Sequence, residues 1–325
     1  MQLYFLFFIF SNCKESLPFT AEAQELIHRS QHPANCSNVN WVTIGHVGGI
    51  GSEIHVTGAV LSWAINNHAI MMWSNTGWMS HPNCSMHTFE CIFLPATNCT
   101  LDSLDPKKHI WVGAIDVKYV IPHQFSQIDF SPFTTLYWWR AQSTLYLTRF
   151  NERFEREMEE FRKKSTQLTI HCNTICVYVR HGAKASEMEL LPWSRFYHSA
   201  HVASEISSLW NLPINCRSRN FTVFLMTDDK NVINDAKKDL GERLLFVEDS
   251  VNNKLPHEGG EDNPLTRMEN VKMSMLNLHY CLKCDGFVSQ RAANFARLVD
   301  ELRITSAGKL NTPFIEAGEY SFSWK

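Results

Sequence analysis

The chain has 325 residues, of which 44% are hydrophobic and 19% are charged, so it holds enough apolar material for a sizeable core and about two domains. Its 30 basic and 33 acidic residues leave a net charge of −3, and without a basic excess it is not expected to bind nucleic acid. No apolar run approaches the roughly 18–20 residues that span a bilayer, which excludes a polytopic membrane protein.

The N-terminus contains the only uninterrupted apolar run, from Leu3 to Phe10, followed by Ser11, Asn12 and Cys13. The run is too short for a membrane anchor and is typical of the apolar centre of a signal peptide. Because no basic segment precedes it, residues 1–24 are interpreted as a signal peptide or a truncated anchor, with a buried N-terminal strand as the alternative. Either targeting interpretation predicts entry into the secretory pathway, and any membrane tether would be this segment alone.

Cysteines and glycosylation sequons agree with secretion. The chain has ten cysteines, and its N-x-S/T sequons begin at Asn35, Asn83, Asn98 and Asn220. Four of the cysteines fall in loop-like segments of the first third, where disulfides close readily: Cys36, Cys84, Cys91 and Cys99. We therefore expect an oxidising compartment.

A zinc site is the alternative use of the later cysteines. Cys281-Leu-Lys-Cys284 has the spacing of one ligand pair, but a four-ligand site needs a second matching pair. Cys172 and Cys176 lie too close to a predicted strand to supply it. We expect no metal.

The first half of the chain is predicted to be irregular. Residues 41–44 indicate a short strand, residues 45–51 a glycine-rich turn, and residues 52–73 a helix with apolar positions at helical spacing. A loop region with three prolines then extends to about Lys108. Aromatic and methionine residues three and four apart among charges predict an amphipathic helix over residues 141–164.

Strands and helices alternate in the second half. Strands are predicted at residues 175–179, 222–226, 244–247 and 286–289, and helices at residues 193–210, 231–240, 267–282 and 292–303. This alternation predicts a parallel sheet that binds ligands at the carboxyl ends of its strands. We expect a small α/β domain over residues 25–165, a Rossmann-type nucleotide domain over residues 166–325, and a site between them.

Two segments could bind phosphate. Residues 48–55 form a glycine turn that opens a helix, where backbone N–H groups attract an anion; a helix entry that needs a flexible backbone is the alternative. Arg180, His181 and Lys184 follow a predicted strand. Arg binds phosphate bidentately and Lys acts as a point charge, although a solvated basic loop would have the same composition.

Two further segments follow strands. Asp228 and Asp229 are paired carboxylates that could bind a metal or sugar hydroxyls, and a helix N-cap explains them at least as well. Residues 287–294 pass from a strand into the start of a helix, whose backbone amides could face a pyrophosphate.

In their order and spacing these motifs resemble the α1,6-fucosyltransferase family. Residues 180–188, Arg-His-Gly-Ala-Lys-Ala-Ser-Glu-Met, are similar to its Arg-His/Arg-x-Asp-Lys loop, and Tyr197 stands where the family has a tyrosine after that loop. The other motifs that resemble the family are the glycine turn ending in His55, Trp138-Trp139 with Tyr146-Leu147-x-Arg149, Asp228-Asp229, and Leu278-His279-Tyr280 followed by Asp285, Phe287 and Arg297. The resemblance covers about residues 35–310.

The resemblance implies a GT-B-like α/β fold in the Golgi lumen or a secreted form. It implies an inverting, metal-independent transfer of fucose from GDP-fucose to a glycan or glycoprotein hydroxyl, with no cofactor besides the donor. Arg180 would bind the donor β-phosphate, with Lys184 nearby. For the base that the acceptor hydroxyl needs we choose Glu187, with Glu189 as the alternative, although an ungapped match places Met188 at the family's glutamate. The donor site would be lined by Gly49, Gly51, His55, Tyr178, His181, Tyr197, Asp228, Asp229 and Asn277.

Several positions depart from the family's pattern: Ala183, Tyr178, Asn277, Ala292 and Ala293. Ala183 replaces the loop aspartate that is expected to hold the loop's cations. Asn277 replaces an aspartate for guanine, and an asparagine oxygen accepts from only one of the two N–H groups at a time. Each lost charged or hydrogen-bonding group could weaken GDP binding by about 1–3 kcal/mol. Two alternatives to the fucosyltransferase therefore remain: an inactive relative that binds a glycan or partner protein, and a transferase for another nucleotide sugar.

The resemblance also implies a disulfide. Cys36 before the first predicted strand and Cys99 after Phe93-x-Pro95 resemble the family's disulfide across the glycine-rich unit. We predict Cys36–Cys99, and in addition Cys84–Cys91.

Overall fold

The computed structural model describes residues 17–43, 48–73, 88–112, 118–131, 133–165, 167–182, 190–217, 220–248 and 264–318. The chain divides into two compact units, the first comprising Met1–Arg156 with Ile304–Gly308 and the second Glu157–Arg303 with Lys309–Lys325. The division lies inside the helix with which we expected the first domain to end. In the described ranges, no helix has the length and apolar character needed to cross a membrane. The apolar run of residues 3–10 lies outside these ranges.

The first unit is a three-stranded parallel sheet with helices. Its strands are β1 (Asn40–Thr43), β2 (Ala69–Met71) and β3 (His109–Trp111), in the order β2-β1-β3. Its helices are α1 (Thr20–Gln31), α2 (Ile50–Asn66), α3 (His123–Ser126) and α4 (Thr135–Leu147), and α5 (Glu152–Lys164) continues into the second unit. Helix α1 begins within the segment that was interpreted as a signal peptide or anchor.

Buried polar side chains complete the backbone hydrogen bonding of this unit. The Gln31 side chain accepts from Met71 N at 2.7 Å and donates to Ala69 O at 3.4 Å, so it occupies the outer edge of β2. The Trp138 indole donates to Pro18 O at 2.9 Å and the Trp139 indole to Ser62 Oγ at 2.8 Å. The Trp-Trp pair is therefore a structural anchor between α4, α2 and the residues before α1.

Two predicted helices are wrong in their extent. The helix predicted over residues 52–73 ends at Asn66, because His68 takes a left-handed backbone (φ 52°) and the buried residues Ala69–Met71 pair with β1 as a strand. The helix predicted over residues 141–164 is two helices, α4 and α5. Between them Arg149 O accepts from Leu94 N at 2.7 Å and Asn151 N donates to Ile92 O at 3.0 Å, so a non-local backbone pairing replaces helical turns.

The second unit confirms the predicted alternation. Its strands are β4 (Thr174–Val179), β5 (Thr222–Thr227), β6 (Leu244–Leu245), β7 (Gly286–Ser289) and β8 (Phe314–Glu316). They form a parallel sheet in the order β6-β5-β4-β7-β8. The helices are α6 (Trp193–Trp210), α7 (Lys230–Leu240), α8 (Pro264–Cys281) and α9 (Asn294–Thr305). Counted from β4, this is the Rossmann order 3-2-1-4-5, so the predicted α/β class with a Rossmann-type second half is confirmed.

The alternation of side chains along β4 explains why both faces of this sheet are covered. Ile175, Val177 and Val179 are buried in the cluster that α6 and α7 form on one face. Cys176 points to the other face, where it is disulfide-bonded to Cys281 at the end of α8. Strands buried on both faces are expected for a parallel sheet.

Three disulfides join described cysteines. Cys36–Cys99 confirms the prediction, while Cys172–Cys216 and Cys176–Cys281 were not predicted. Cys91 is also disulfide-bonded, but Cys84 lies outside the described residues, so that pairing stays a prediction.

The zinc alternative for Cys281 and Cys284 does not fit these pairings. Cys281 is oxidised, and Cys284 is a buried free thiol whose pKa is raised by burial to about 12. Among the described residues, no group of three or more His, Cys, Asp or Glu side chains could hold a metal ion.

Candidate functional site

The second sheet has a topological switch point beside β4. Strand β4 pairs with β5 on one side and with β7 on the other, and connections leave in opposite directions from these two. In open α/β sheets, ligands bind outside the carboxyl ends of the strands at such a point. The residues directly after β4 are Arg180, His181 and Gly182, and those directly after β5 are Asp228 and Asp229.

Arg180 and Asp228 form an ion pair at these strand ends. Their side chains retain 24% and 16% exposure, so the pair is mostly buried but still reaches solvent. The other oxygen of the Asp228 carboxylate accepts from His181 N at 3.0 Å. One carboxylate therefore orients the guanidinium and fixes the backbone after it, and the guanidinium retains further N–H groups for a ligand. The carboxylate that pairs with Arg180 thus comes from the end of the neighbouring strand β5.

Gly182 allows the ion pair to pack closely against the loop. Its φ of +22° is a conformation that residues with a side chain rarely adopt. A Cβ there would collide with the Asp228 carboxylate and with Arg180 Nη1. Only glycine fits this position without displacing the pair.

His181 is held at both ring nitrogens. Nδ1 lies 2.8 Å from Asp229 Oδ2, and Nε2 lies 3.0 Å from Leu191 O. A carboxylate and a carbonyl oxygen only accept, so both bonds form when the ring is the doubly protonated imidazolium. The other oxygen of Asp229 accepts from Asn231 N at 2.8 Å and caps α7. The N-cap alternative for Asp229 is thus confirmed, and the same carboxylate also binds His181.

Two polar residues lie at the neighbouring strand ends: Ser289, inside the predicted segment 287–294, and Glu316, which sequence reasoning missed. Ser289 at the end of β7 donates through Oγ to Tyr178 O at 2.9 Å, and Glu316 at the end of β8 accepts from Arg291 N at 3.0 Å. Burial is the main cause that raises the pKa of Glu316. The signal for Glu316 was a carboxylate directly after an apolar pair, but β8 has only three residues and was not recognised as a strand.

Tyr178 and Asn277 lie on the α8 side of the sheet. Tyr178 follows Cys176 by two strand residues, and Asn277 precedes Cys281 by one helical turn; both steps are about 6 Å. A helix between parallel strands runs antiparallel to them, so both residues lie on the carboxyl side of the Cys176–Cys281 disulfide. Burial raises the pKa of Tyr178 to about 12, so its hydroxyl is a neutral donor.

The Asn277 amide is only partly satisfied. Its Nδ2 donates to Met273 O at 3.1 Å, and its Oδ1 is buried without a hydrogen-bond partner among the described residues. The side chain is 7% exposed. An unpaired buried carbonyl oxygen costs about 1–3 kcal/mol, which an N–H group of a ligand would recover.

The expected donor-site residues of the first unit surround the start of α2. Gly49 is its N-cap, and no described atom lies within 4 Å of where a Cβ would be at this position. Gly51 lies in the first turn, where backbone N–H groups lack acceptors within the helix. His55 is buried one turn later, and its carbonyl accepts from the Tyr119 hydroxyl at 2.8 Å.

Other expected site residues are not part of the strand-end cluster. The Tyr197 ring packs against Trp193 (6.0 Å between centroids) and Phe221 (6.4 Å), and Phe221 precedes the amino end of β5. Ala183, Lys184, Glu187 and Glu189 lie outside the described residues. The cluster that the structure brings together therefore consists of Arg180, His181, Asp228 and Asp229, and we call it the strand-end cluster.

Comparison with known proteins gives structural neighbours alone. No family model matches the chain, and no curated protein matches it. It is similar to NodZ α1,6-fucosyltransferase crystallised with GDP, at 12% identity and a TM-score of 0.47 over 81% of this chain and 92% of that one. It is similar to POFUT1 in complex with GDP, at 14% identity and a TM-score of 0.41 over 88% of this chain and 100% of that one. It is also similar to an Arabidopsis thaliana FUT1 mutant in complex with GDP, at 10% identity and a TM-score of 0.39 over 87% of this chain and 72% of that one. Over most of its length, the chain is thus similar to fucosyltransferases of known structure.

Proposed function

We propose that the protein transfers fucose from GDP-fucose to a hydroxyl group of a glycan or glycoprotein, with inversion at the anomeric carbon and without a metal ion. The observation that carries the proposal is the strand-end cluster at the switch point of a Rossmann-ordered sheet. The motifs that resemble the α1,6-fucosyltransferase family supply the identity of the donor.

The proposed reaction needs positive charge at the leaving group. As the bond from fucose C1 to the β-phosphate oxygen breaks, negative charge develops on GDP. Arg180 is already oriented by Asp228, so its remaining N–H groups can stabilise this charge without reorganising during the reaction. His181 lies next to it in the chain, held between Asp229 and Leu191 O, and its ring would add a second positive group in its doubly protonated form.

The guanine base would be recognised on the α8 side of the sheet. The open acceptor Asn277 Oδ1 can take one N–H of the base. The neutral Tyr178 hydroxyl, whose pKa is raised by burial to about 12, is a hydrogen-bond donor on that side. Gly49, Gly51 and His55 at the start of α2 are proposed to contact the donor as well.

The acceptor hydroxyl requires a base, for which Glu187 is our choice and Glu189 the alternative. Lys184 is proposed to assist Arg180 at the diphosphate. We place the protein in the Golgi lumen or outside the cell, because three disulfides are typical of chains that mature in an oxidising compartment.

The alternative function is binding without transfer. It is favoured by the helix start after β7, where Ala293 is 3% exposed, its N donates to Gln290 O at 3.0 Å, and no hydroxyl side chain stands at residues 292 and 293. A site with fewer donors for the diphosphate would hold a glycan or partner protein without activating GDP-fucose.

Calorimetric titration of the secreted chain with GDP-fucose and with GDP tests the proposal. In Arg180→Ala, loss of a charged hydrogen bond of about 1.5–3 kcal/mol should weaken binding by tenfold or more, and Arg180→Lys should recover part of it. Turnover against a panel of glycan acceptors should fall by about 10²–10³. The matched control is Arg217→Ala, since Arg217 is exposed near the amino edge of the same sheet.

Three outcomes separate the hypotheses. Arg180-dependent binding with turnover supports the transferase. Arg180-dependent binding of GDP-fucose with no turnover on any acceptor supports the binding protein. If folded wild-type protein binds neither nucleotide, or if Arg180→Ala binds as tightly as Arg217→Ala, the strand-end cluster is not a donor site.

A further inference from the structure

Two of the glycosylation sequons share one disulfide. Asn35-Cys36-Ser37 and Asn98-Cys99-Thr100 both have a cysteine at the central position, and these two cysteines are bonded to each other. The Cα atoms of the cysteines are 5.6 Å apart. Because consecutive Cα atoms are about 3.8 Å apart, the Cα atoms of the two asparagines are separated by at most about 13 Å.

In the folded chain the reactive groups of both sequons are engaged locally. Asn35 and Asn98 are exposed. Asn35 Oδ1 accepts from Ser37 N at 3.0 Å and from Ser37 Oγ at 2.9 Å, which caps the short turn Cys36–Asn38. Asn98 Nδ2, the nitrogen that would carry a glycan, donates to Pro33 O at 3.4 Å. The second sequon therefore faces the backbone just before the first.

Burial of the disulfide prevents either sequon from leaving this arrangement. Cys99 is 6% exposed and belongs to a small core with Trp41 and Leu104, against which Cys36 packs. An acceptor sequon must extend into a transferase's site, and a central residue anchored in a core cannot follow. Oxidation of this one pair of thiols thus fixes both sequons at once.

We propose that Asn35 and Asn98 are N-glycan acceptor sites whose use ends when the Cys36–Cys99 disulfide closes. In the glycosylation step, Asn Nδ2 forms a bond to the anomeric carbon of a lipid-diphosphate-linked oligosaccharide. The bond from that carbon to the diphosphate oxygen breaks, the lipid diphosphate leaves with the electron pair, and Nδ2 loses one proton. In the competing step, the two thiols lose two protons and two electrons to a protein disulfide of the secretory lumen, which becomes a dithiol.

Asn220 provides an internal reference. Its sequon, Asn220-Phe221-Thr222, has no central cysteine, and Asn220 is exposed two residues before the start of β5. Its use should not depend on the Cys36–Cys99 pair. The inference concerns maturation of the chain and is independent of the proposed transferase activity.

Single cysteine variants test the coupling without changing the sequon that is measured. Cys36→Ala removes the disulfide and leaves Asn98-Cys99-Thr100 intact, and Cys99→Ala does the same for Asn35-Cys36-Ser37. The full chain is expressed in a eukaryotic secretory system, cellular and secreted protein are pooled, and site occupancy is measured by mass spectrometry of deglycosylated peptides. We expect occupancy to rise at Asn98 in Cys36→Ala and at Asn35 in Cys99→Ala, with no change at Asn220.

Cys172→Ala controls for misfolding, because it removes the Cys172–Cys216 disulfide without touching either sequon. It should leave Asn35 and Asn98 occupancy at the wild-type level. Full occupancy of both asparagines in the wild type, no occupancy in any variant, or an equal rise in Cys172→Ala would overturn the proposal. Pooling the protein before analysis keeps the test valid even if a variant fails to be secreted.

Discussion

The two sheets are both parallel with their first strand inside the sheet, and they differ in strand number and in the residues at the ends of their strands. In each, all strands are parallel and the first strand lies between two neighbours, β1 between β2 and β3, and β4 between β5 and β7. In each, a disulfide begins just before the first strand, at Cys36 and at Cys172, and ends before one of the neighbouring strands.

The carboxyl ends of the strands differ in chemistry. In the first sheet the described ends carry Thr43, which bonds to His109 Nε2 at 2.9 Å, and Trp111, which is 67% exposed. In the second sheet the corresponding ends carry the strand-end cluster, in which Arg180 and His181 pair with two carboxylates. Among the described residues, a cluster of ion-pairing side chains directly after the strands is thus a feature of the second sheet.

The largest expected effect concerns the Cys176–Cys281 disulfide, which links a helix to the second sheet. It joins α8 to β4 over a sequence separation of 105. Replacing both cysteines with alanine should lower the free energy of unfolding by about 2–4 kcal/mol, because the unfolded chain regains the entropy of a long loop. Guanidinium unfolding followed by circular dichroism measures the change.

Cys284→Ala is the control for loss of a buried sulfur in the same segment, since Cys284 is the free buried thiol. It should cost less than the double variant. Equal stability of the double variant and Cys284→Ala would show that the cross-link does not hold α8 on the sheet.

The next largest effect concerns the close packing of Gly182 against the Arg180–Asp228 ion pair in the strand-end cluster. Gly182→Ala should weaken GDP binding by about 1–3 kcal/mol, because a Cβ at this position displaces Arg180 and Asp228. Titration calorimetry measures the loss.

Gly241→Ala separates the collision from backbone strain. Gly241 has a φ of +55°, but no described atom lies within 4 Å of where its Cβ would be. The substitution should cost about 1 kcal/mol of stability and leave GDP binding unchanged. If both variants bind GDP equally well, the packing of Gly182 against the ion pair has no part in the site.

The helices and strands that could be predicted from sequence are those whose patterns lie within a short stretch of the chain. Helix α6 was predicted with its observed bounds, and β7 as well, because apolar runs between turn residues are local patterns. The break between α4 and α5 was not predictable in this way, because it depends on pairing of residues 149–151 with residues 92–94, far away in the chain. Strand β8 was missed because three residues carry too little pattern.

The same distinction applies to the site. The location of Arg180 and Asp228 at the carboxyl edge was predictable from their positions directly after predicted strands. That they pair with each other, and that His181 bridges Asp229 and Leu191 O, depends on the register of β4 with β5 and on the loop before α6. The sequence also placed Tyr197 at the site by resemblance, whereas its ring packs toward Phe221 at the other end of β5.

The smallest expected effect concerns His279, whose neighbouring charges lie in the second unit outside the strand-end cluster. His279 on α8 is half-buried, with Nδ1 3.5 Å from Arg162 Nη1. Burial first, and then the positive charges of Lys283 and Arg162, lower the pKa of His279 to about 4, while Glu159 opposes them. Since an unfolded histidine titrates near 6.5, the native state binds fewer protons between these pH values, and stability is lost as the pH falls through that window.

Replacement of His279 by Gln should therefore make the protein's stability less sensitive to pH between about 7 and about 5. The change in the free energy of unfolding should be no more than about 1 kcal/mol, because the ring keeps contact with water, and it should appear as a smaller shift of the melting temperature. Differential scanning fluorimetry at both pH values measures the difference. His201→Gln, at an exposed position on α6, should leave the pH sensitivity as it is in the wild type. If His279→Gln and His201→Gln respond alike, then the cations around α8 do not act on His279, and the electrostatic difference between the two units is confined to the strand-end cluster.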